Sequence, residues 1–281
     1  MDSSNHWYGH AHVLARYCGL PDDPPPRING VLQHGWTFVH GFGYGHAPPL
    51  GFTRYVWSDF CRSRGQMIGW RDYYVIGAPF LYLQQLEPAP AETEQEREGT
   101  IWYPFHGTAD YEGLGGSHED LIAEIRATET GPVTACLYYV EYDDPVVRAA
   151  YEDAGFRVIC HGVRGAKWSG GTTDFLSRQL RELRRHRRVA SNRLTTAIFY
   201  GISAGCEPAV YGNPMELLDV KEGFDGAGLI EANYADLHGA EVDREVAQAI
   251  ADAELGVGWT LPPEEMRVMF GWEALHEETS A

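Results

Sequence analysis

The chain has 281 residues, 44% of them hydrophobic, and a formal net charge of −18. That length accommodates one large domain or two small ones, and the apolar fraction supports a packed core. The acidic balance argues against generic binding to nucleic acid or to an anionic membrane.

No apolar run approaches the ~20 residues that cross a bilayer. Residues 1–7 carry neither the basic nor the apolar region of a secretory signal. The five cysteines are scattered and contain no Cys-x-x-Cys pair, which leads us to expect reduced thiols and a cytoplasmic protein.

In chain order, residues 6–17 carry one amphipathic-helix pattern, broken by the proline cluster at 21–26. Residues 30–36 read as a short buried strand and 54–58 as a second. A short helix over 59–64 is expected to close at Gly65, and 73–79 form a third strand stopped by Gly77 and Pro79. The polar, acidic, proline-containing stretch near 85–99 reads as a linker. It divides an N-terminal domain, 1–84, from a C-terminal domain, 100–281. Beyond it, strands at 100–105, 133–140, 156–160, 188–190 and 209–211 alternate with helices at 118–127, 145–154, 173–186 and 195–204. Such alternation predicts an α/β fold with a parallel sheet covered on both faces, whose ligands bind outside the carboxyl ends of the strands. The tail beyond 221 reads as helical and acidic, with Trp259 and Trp272 as anchors.

The chemistry-bearing residues cluster at those strand ends. His34 and His106 each precede a glycine where a strand stops. A histidine there suits a general base or a phosphate donor, or equally the satisfaction of buried backbone groups in a turn. Glu141 follows an apolar strand and is a candidate base or ribose ligand. Asp143 or Asp144 reads as the N-cap of the helix opening at Pro145. Ser191-Asn192-Arg193 ends a strand, and Thr195-Thr196 opens the next helix. Two hydroxyls and unsatisfied N–H groups there favour an anion such as phosphate. The arginines between 178 and 188 concentrate positive charge, most of it expected on a solvated helix face. His6 and His10 have i, i+4 ligand spacing, but no cysteine or glutamate completes a metal motif, so no metal is expected. Phosphate-loop, dinucleotide-fingerprint and nucleophile-elbow motifs are absent from the sequence.

The ordered motifs Gln33-His34-Gly35-Trp36, Val56-Trp57-Ser58, Val75-Ile76-Gly77-Ala78-Pro79, Tyr103-Pro104-Phe105-His106-Gly107-Thr108 and Ala190-Ser191-Asn192-Arg193-Leu194-Thr195-Thr196-Ala197 resemble bacterial glycosyltransferases of the GT-B fold. The resemblance is to the capsule and cell-surface polysaccharide type, and more distantly to CDP-glycerol glycerophosphotransferases and bacterial sialyltransferases. It implies two Rossmann-like domains facing a cleft, the N-terminal one reduced. It makes His34, His106 and Glu141 candidate catalytic residues. It makes Gly107, Thr108, Ser191, Asn192, Arg193, Thr195 and Thr196 candidate ligands of the donor nucleotide and its phosphates.

The function so implied is metal-independent transfer of a sugar from a nucleotide-sugar donor to a sugar or small-molecule acceptor, with no cofactor. A homo-oligomer is compatible with it. The alternatives are a CDP-alditol phosphotransferase, a non-catalytic nucleotide-sugar binder or partner subunit, and a sugar-nucleotide epimerase.

Overall fold

The computed structural model describes residues 3–42, 51–89, 97–107, 114–165, 171–218 and 227–273. The chain is α/β and divides into two compact units. The first contains Met1–Glu92, Val163–Arg178 and Asp252–Ala281, and the second Thr93–Gly162 and Gln179–Ala251. Among the described residues no helix is long and apolar enough to cross a membrane.

The first unit is built on a parallel three-stranded sheet, β1 (Val31–Leu32), β2 (Arg54–Val56) and β3 (Tyr73–Val75), in the order β1-β2-β3. Asn5 sits against β1. Its amide oxygen takes the N–H of Leu32 at 2.8 Å and its amide nitrogen donates to the Gly30 carbonyl at 2.9 Å. The expected N-terminal helix is interrupted: a 3₁₀ segment Ser3–Gly9 breaks at Trp7 and Tyr8 before the helix His10–Tyr17 begins. Tyr8 has φ of 58°, an uncommon conformation for a bulky residue.

Two expectations in this unit are corrected. Gly65 does not close a helix. The helix runs Asp59–Met67, capped by the Ser58 hydroxyl, and Gly65 lies inside it because the Tyr73 ring fills the space a Cβ would occupy. Pro79 does more than stop a strand. It supplies the first turn of the helix Pro79–Leu86, where its missing N–H costs nothing.

The last part of the tail, from Asp252 on, belongs to this unit. Trp272, fully buried, donates to the Arg27 carbonyl at 2.8 Å, and Tyr55 donates to the Met269 carbonyl at 2.6 Å. The backbone at Gly256 approaches the Trp57 carbonyl so closely that any Cβ would collide with it. Trp259 is 43% exposed, with the Arg62 guanidinium over its ring, so of the two expected anchors Trp272 is the buried one.

The second unit holds β4 (Thr100–Tyr103), β5 (Leu114–Gly115), β6 (Val133–Cys136), β7 (Arg157–Ile159), β8 (Arg188–Ser191), β9 (Glu207–Val210) and β10 (Glu216–Leu217). Five of these form a parallel sheet in the order β7-β6-β4-β8-β9, and β5 and β10 pair as a short antiparallel ribbon. One face carries Trp102, Ala190 and Ala209 against Leu121 and Ile125 of the helix His118–Thr128. On the other face Val189 packs against Gly201 of the helix Thr196–Ser203. Helices on both faces explain why the strands read as continuous apolar runs.

The apolar run 133–140 yields only a four-residue strand. Leu137 N–H still reaches the Ile159 carbonyl, but β7 ends there, and the chain turns into the short helix Tyr139–Asp143. Asp144 caps the next helix, accepting from Val146 and Val147, as its place before Pro145 led us to expect.

At the other end of this sheet Glu129 and Arg188 form a buried ion pair at 3.3 Å. Thr100 and Tyr211 donate to the two oxygens of Glu129. Arg178, Arg185 and Arg187 are ion-paired with Asp174, Glu182 and Glu207, so these members of the basic cluster are neutralised on the surface or, for Arg188, inside. All five cysteines are free.

Replacing a helical glycine by alanine ordinarily raises stability by up to about 1 kcal/mol. At Gly65 the Tyr73 ring reverses the sign. Gly65→Ala is expected to lower unfolding free energy by about 1–3 kcal/mol in urea titrations, as overpacking does. A neutral or stabilising result would contradict the packing described.

Candidate functional site

In the five-stranded sheet the chain proceeds from β4 outward through β6 to β7, then returns to the other side of β4 for β8 and β9. The order therefore reverses between β4 and β8, which are paired from Thr100–Arg188 to Tyr103–Ser191. Connections leave the carboxyl ends of these two strands in opposite directions, and the opening between them is where open α/β sheets take their ligands. Residues 104–107 and 192–196 leave the sheet at this point.

Asn192 holds the two exits together. Its oxygen accepts from Phe105 N–H at 2.7 Å, and its amide nitrogen donates to the Asn213 carbonyl at 2.7 Å. The guanidinium of Arg193 lies 4.0 Å over the Phe105 ring, and its Nε donates to the Pro214 carbonyl at 2.6 Å, with Met215 as a further acceptor. Ser191 is fully buried and accepts from Arg193 N–H at 3.3 Å. These three candidates therefore build the edge: their polar groups are engaged with backbone.

Thr195 stands differently. It is the N-cap of the helix Thr196–Ser203, in an extended conformation, and its side chain makes no capping bond. Its hydroxyl is buried with no hydrogen-bond partner among the described residues. Such an uncapped start, with a hydroxyl to spare, fits an anionic group. Thr196 opens the helix proper.

His106 and Gly107 follow β4. His106 Nδ1 is 2.9 Å from the Gly107 carbonyl, and its ring stacks on Tyr138 at 3.8 Å and 11°. Tyr138 is a residue that the sequence reading did not select. Its signal was its place directly beyond an apolar strand, where aromatic side chains are easily taken as core. Glu141 lies three residues further on, in the short helix. Burial pushes its pKa up to about 7, opposed by hydrogen bonds from its own backbone and from Gly107 and assisted by Asp144. Its Oε2 is buried with no hydrogen-bond partner among the described residues. Thr108 lies outside the described residues.

His34 belongs to the first unit, at the carboxyl end of β1. The Gln33 side chain accepts from Trp57 N–H at 2.9 Å and donates to the Gly35 carbonyl at 2.9 Å, which fixes the turn. Trp36 Nε1 donates to the buried Glu254 at 3.0 Å. The His34 ring meets Trp7 edge to face at 4.8 Å.

His6 and His10 do not share one helix, since the chain breaks at Trp7 and Tyr8 between them. Among the described residues no group of three or more His, Cys, Asp or Glu is arranged to hold a metal.

No protein-family model matches the sequence, and no curated protein matches it. Among solved structures the chain is similar to Anabaena Alr3699/HepE, determined in complex with UDP and glucose. The identity is 15% and the TM-score 0.29, over 81% of this chain and 63% of that one. The chain thus spans less than two thirds of that structure's length. Likeness at this level does not extend to an activity.

His10 is 1% exposed, and neither ring nitrogen has a hydrogen-bond partner among the described residues. Burial lowers its pKa to about 3, weakly opposed by the Gln33 backbone. Above pH 6.5 the ring is neutral folded or unfolded. Below it only the unfolded chain takes the proton, so stability falls as pH drops toward 3. His10→Leu is expected to shrink the loss of unfolding free energy between pH 7.5 and 5.5 by about 1 kcal/mol. An unchanged difference, measured by urea titration at both pH values, would refute this assignment.

Proposed function

We propose that the chain transfers a glycosyl group from a nucleotide-activated sugar to an acceptor hydroxyl, with a GT-B-like division of labour between its two units. The observation that carries the reading is the reversal of strand order between β4 and β8. It brings His106-Gly107 and the uncapped helix start at Thr195-Thr196 to one edge of one sheet.

In the proposed reaction the acceptor oxygen bonds to the anomeric carbon as the bond from that carbon to the nucleotide phosphate breaks. Negative charge grows on the departing phosphate. Fixed donors aimed at that charge lower the barrier because they need no reorganisation as it develops. The Thr195 hydroxyl, the first N–H groups of the helix and His106 take that role. They supply the charge stabilisation that a divalent metal supplies in other transferases. His34 is assigned the acceptor's proton. The Trp7 ring, edge to face against it, and the Gln33–Gly35 hydrogen bond that fixes the turn around it give it the orientation that a general base requires. Ser191, Asn192 and Arg193 maintain the edge.

Thr195→Ala and His106→Ala are each expected to lower kcat/KM by about 10²-fold while leaving the melting temperature of the unliganded protein nearly unchanged. Nucleotides are expected to raise that temperature in a concentration-dependent way, since they bind the folded state alone. If UDP, GDP, CDP, CMP and dTDP all leave the melting curve unmoved, the nucleotide reading fails.

A further inference from the structure

Just beyond the carboxyl ends of β4 and β6 lies an aromatic stack whose flat faces phosphate binding leaves unexplained. His106 and Tyr138 stack nearly parallel at 3.8 Å, and Tyr139 adjoins Tyr138 at 4.5 Å. All three rings are half-buried. Glu141 is carried by the same short helix as Tyr139 and takes the Gly107 N–H. Its second oxygen, Oε2, is shielded from water and has no hydrogen-bond partner among the described residues. A carboxylate oxygen in that state is costly, and a donor from a ligand would relieve it. Glu141 as a whole is half-buried, and the terminal torsion of a glutamate is broad, so a ligand can draw the open oxygen to itself.

The ligand chemistry follows from the two parts. A flat aromatic stack favours a flat ring, and a lone carboxylate oxygen favours an N–H donor on the edge of that ring. We propose that Glu141 reads the base of the bound nucleotide, accepting a hydrogen bond from an exocyclic amino group while the ring lies against the Tyr138–His106 stack. This rests on the nucleotide reading above and adds a specificity to it. Cytosine presents an amino group where uracil presents a carbonyl oxygen. Guanine carries an amino group that hypoxanthine lacks. Against a carboxylate, the oxo partner of the first pair is repelled, and the partner of the second leaves the oxygen unsatisfied.

The test uses the full chain and two matched pairs, CDP with UDP and GDP with IDP, titrated by calorimetry at pH 8.5, where Glu141 is ionised. In a pair that binds, the amino-bearing member is expected to bind about tenfold or more tightly, the worth of one hydrogen bond to a charged group. Glu141→Gln, whose amide offers both a donor and an acceptor, is expected to erase the difference. Tyr138→Ala is expected to weaken all binding members alike. Equal affinities within each pair, or a preference for UDP or IDP, overturn the proposal and leave nucleotide binding intact. So does a Glu141→Gln protein that weakens every nucleotide by the same factor, which would mark a ribose contact. Should that variant not fold, the wild-type ratios decide. If none of the four binds, the nucleotide reading falls and this inference with it.

Discussion

One side-chain amide organises the second unit at the place where its sheet changes direction. Asn192 accepts a hydrogen bond from the backbone beyond β4 and donates one to the backbone beyond β9. Both bonds sit at a strand edge where ladder partners have run out, so without them two backbone groups would be left unsatisfied. Arg193 adds a second tie to the same connection and shields the Phe105 ring. The loop beyond β9 is held further by Glu124, which accepts from Asn213 N–H at 2.7 Å. With the exits of β4 and β8 fixed in this way, the His106-Gly107 turn and the helix start at Thr195 become rigid features of the sheet and not properties of free loops.

Polar satisfaction differs among the buried carboxylates and hydroxyls of the molecule. Buried Glu129 has partners on both oxygens and an arginine beside it, and buried Glu254 has Trp36 and Arg64. These carboxylates are complete, and their ion pairs serve packing. Thr195 and Glu141 are incomplete, each with one buried oxygen unengaged among the described residues. Native interiors tolerate few such groups, and the ones that persist call for a physical reason. Here both lie on the carboxyl side of one parallel sheet, where the proposed nucleotide would supply the reason.

Much of this was legible in the sequence. The alternation of short apolar runs with helix-period segments identified all five strands of the large sheet to within a few residues, because four of them are buried along nearly their whole length and leave an apolar signature. Asp144 before Pro145 was legible as a cap because both residues have strong positional preferences. The roles within Ser191-Asn192-Arg193 were not legible. A polar cluster after a strand looks the same whether it faces a ligand or the backbone of a distant loop, and the partners at 105 and 213–215 are far away in sequence. Gly65 misled for a related reason: a glycine needed for close packing inside a helix carries the same letter as one that ends it. The stacked pair His106–Tyr138 required tertiary structure, since the two residues follow different strands.

The first unit is discontinuous: residues 1–92 are completed by segments that include Trp272, Met269 and the Gly256 turn. On the ribosome this has a temporal consequence. The strands of this unit, between 31 and 75, are made before the segment from Asp252 on that completes it, and the strands of the intervening unit, between 100 and 217, are synthesised in the meantime. Tyr55 and Trp57 therefore emerge well before Met269 and the Gly256 turn that meet them, an interval in which a chaperone holding exposed aromatics would find its substrate.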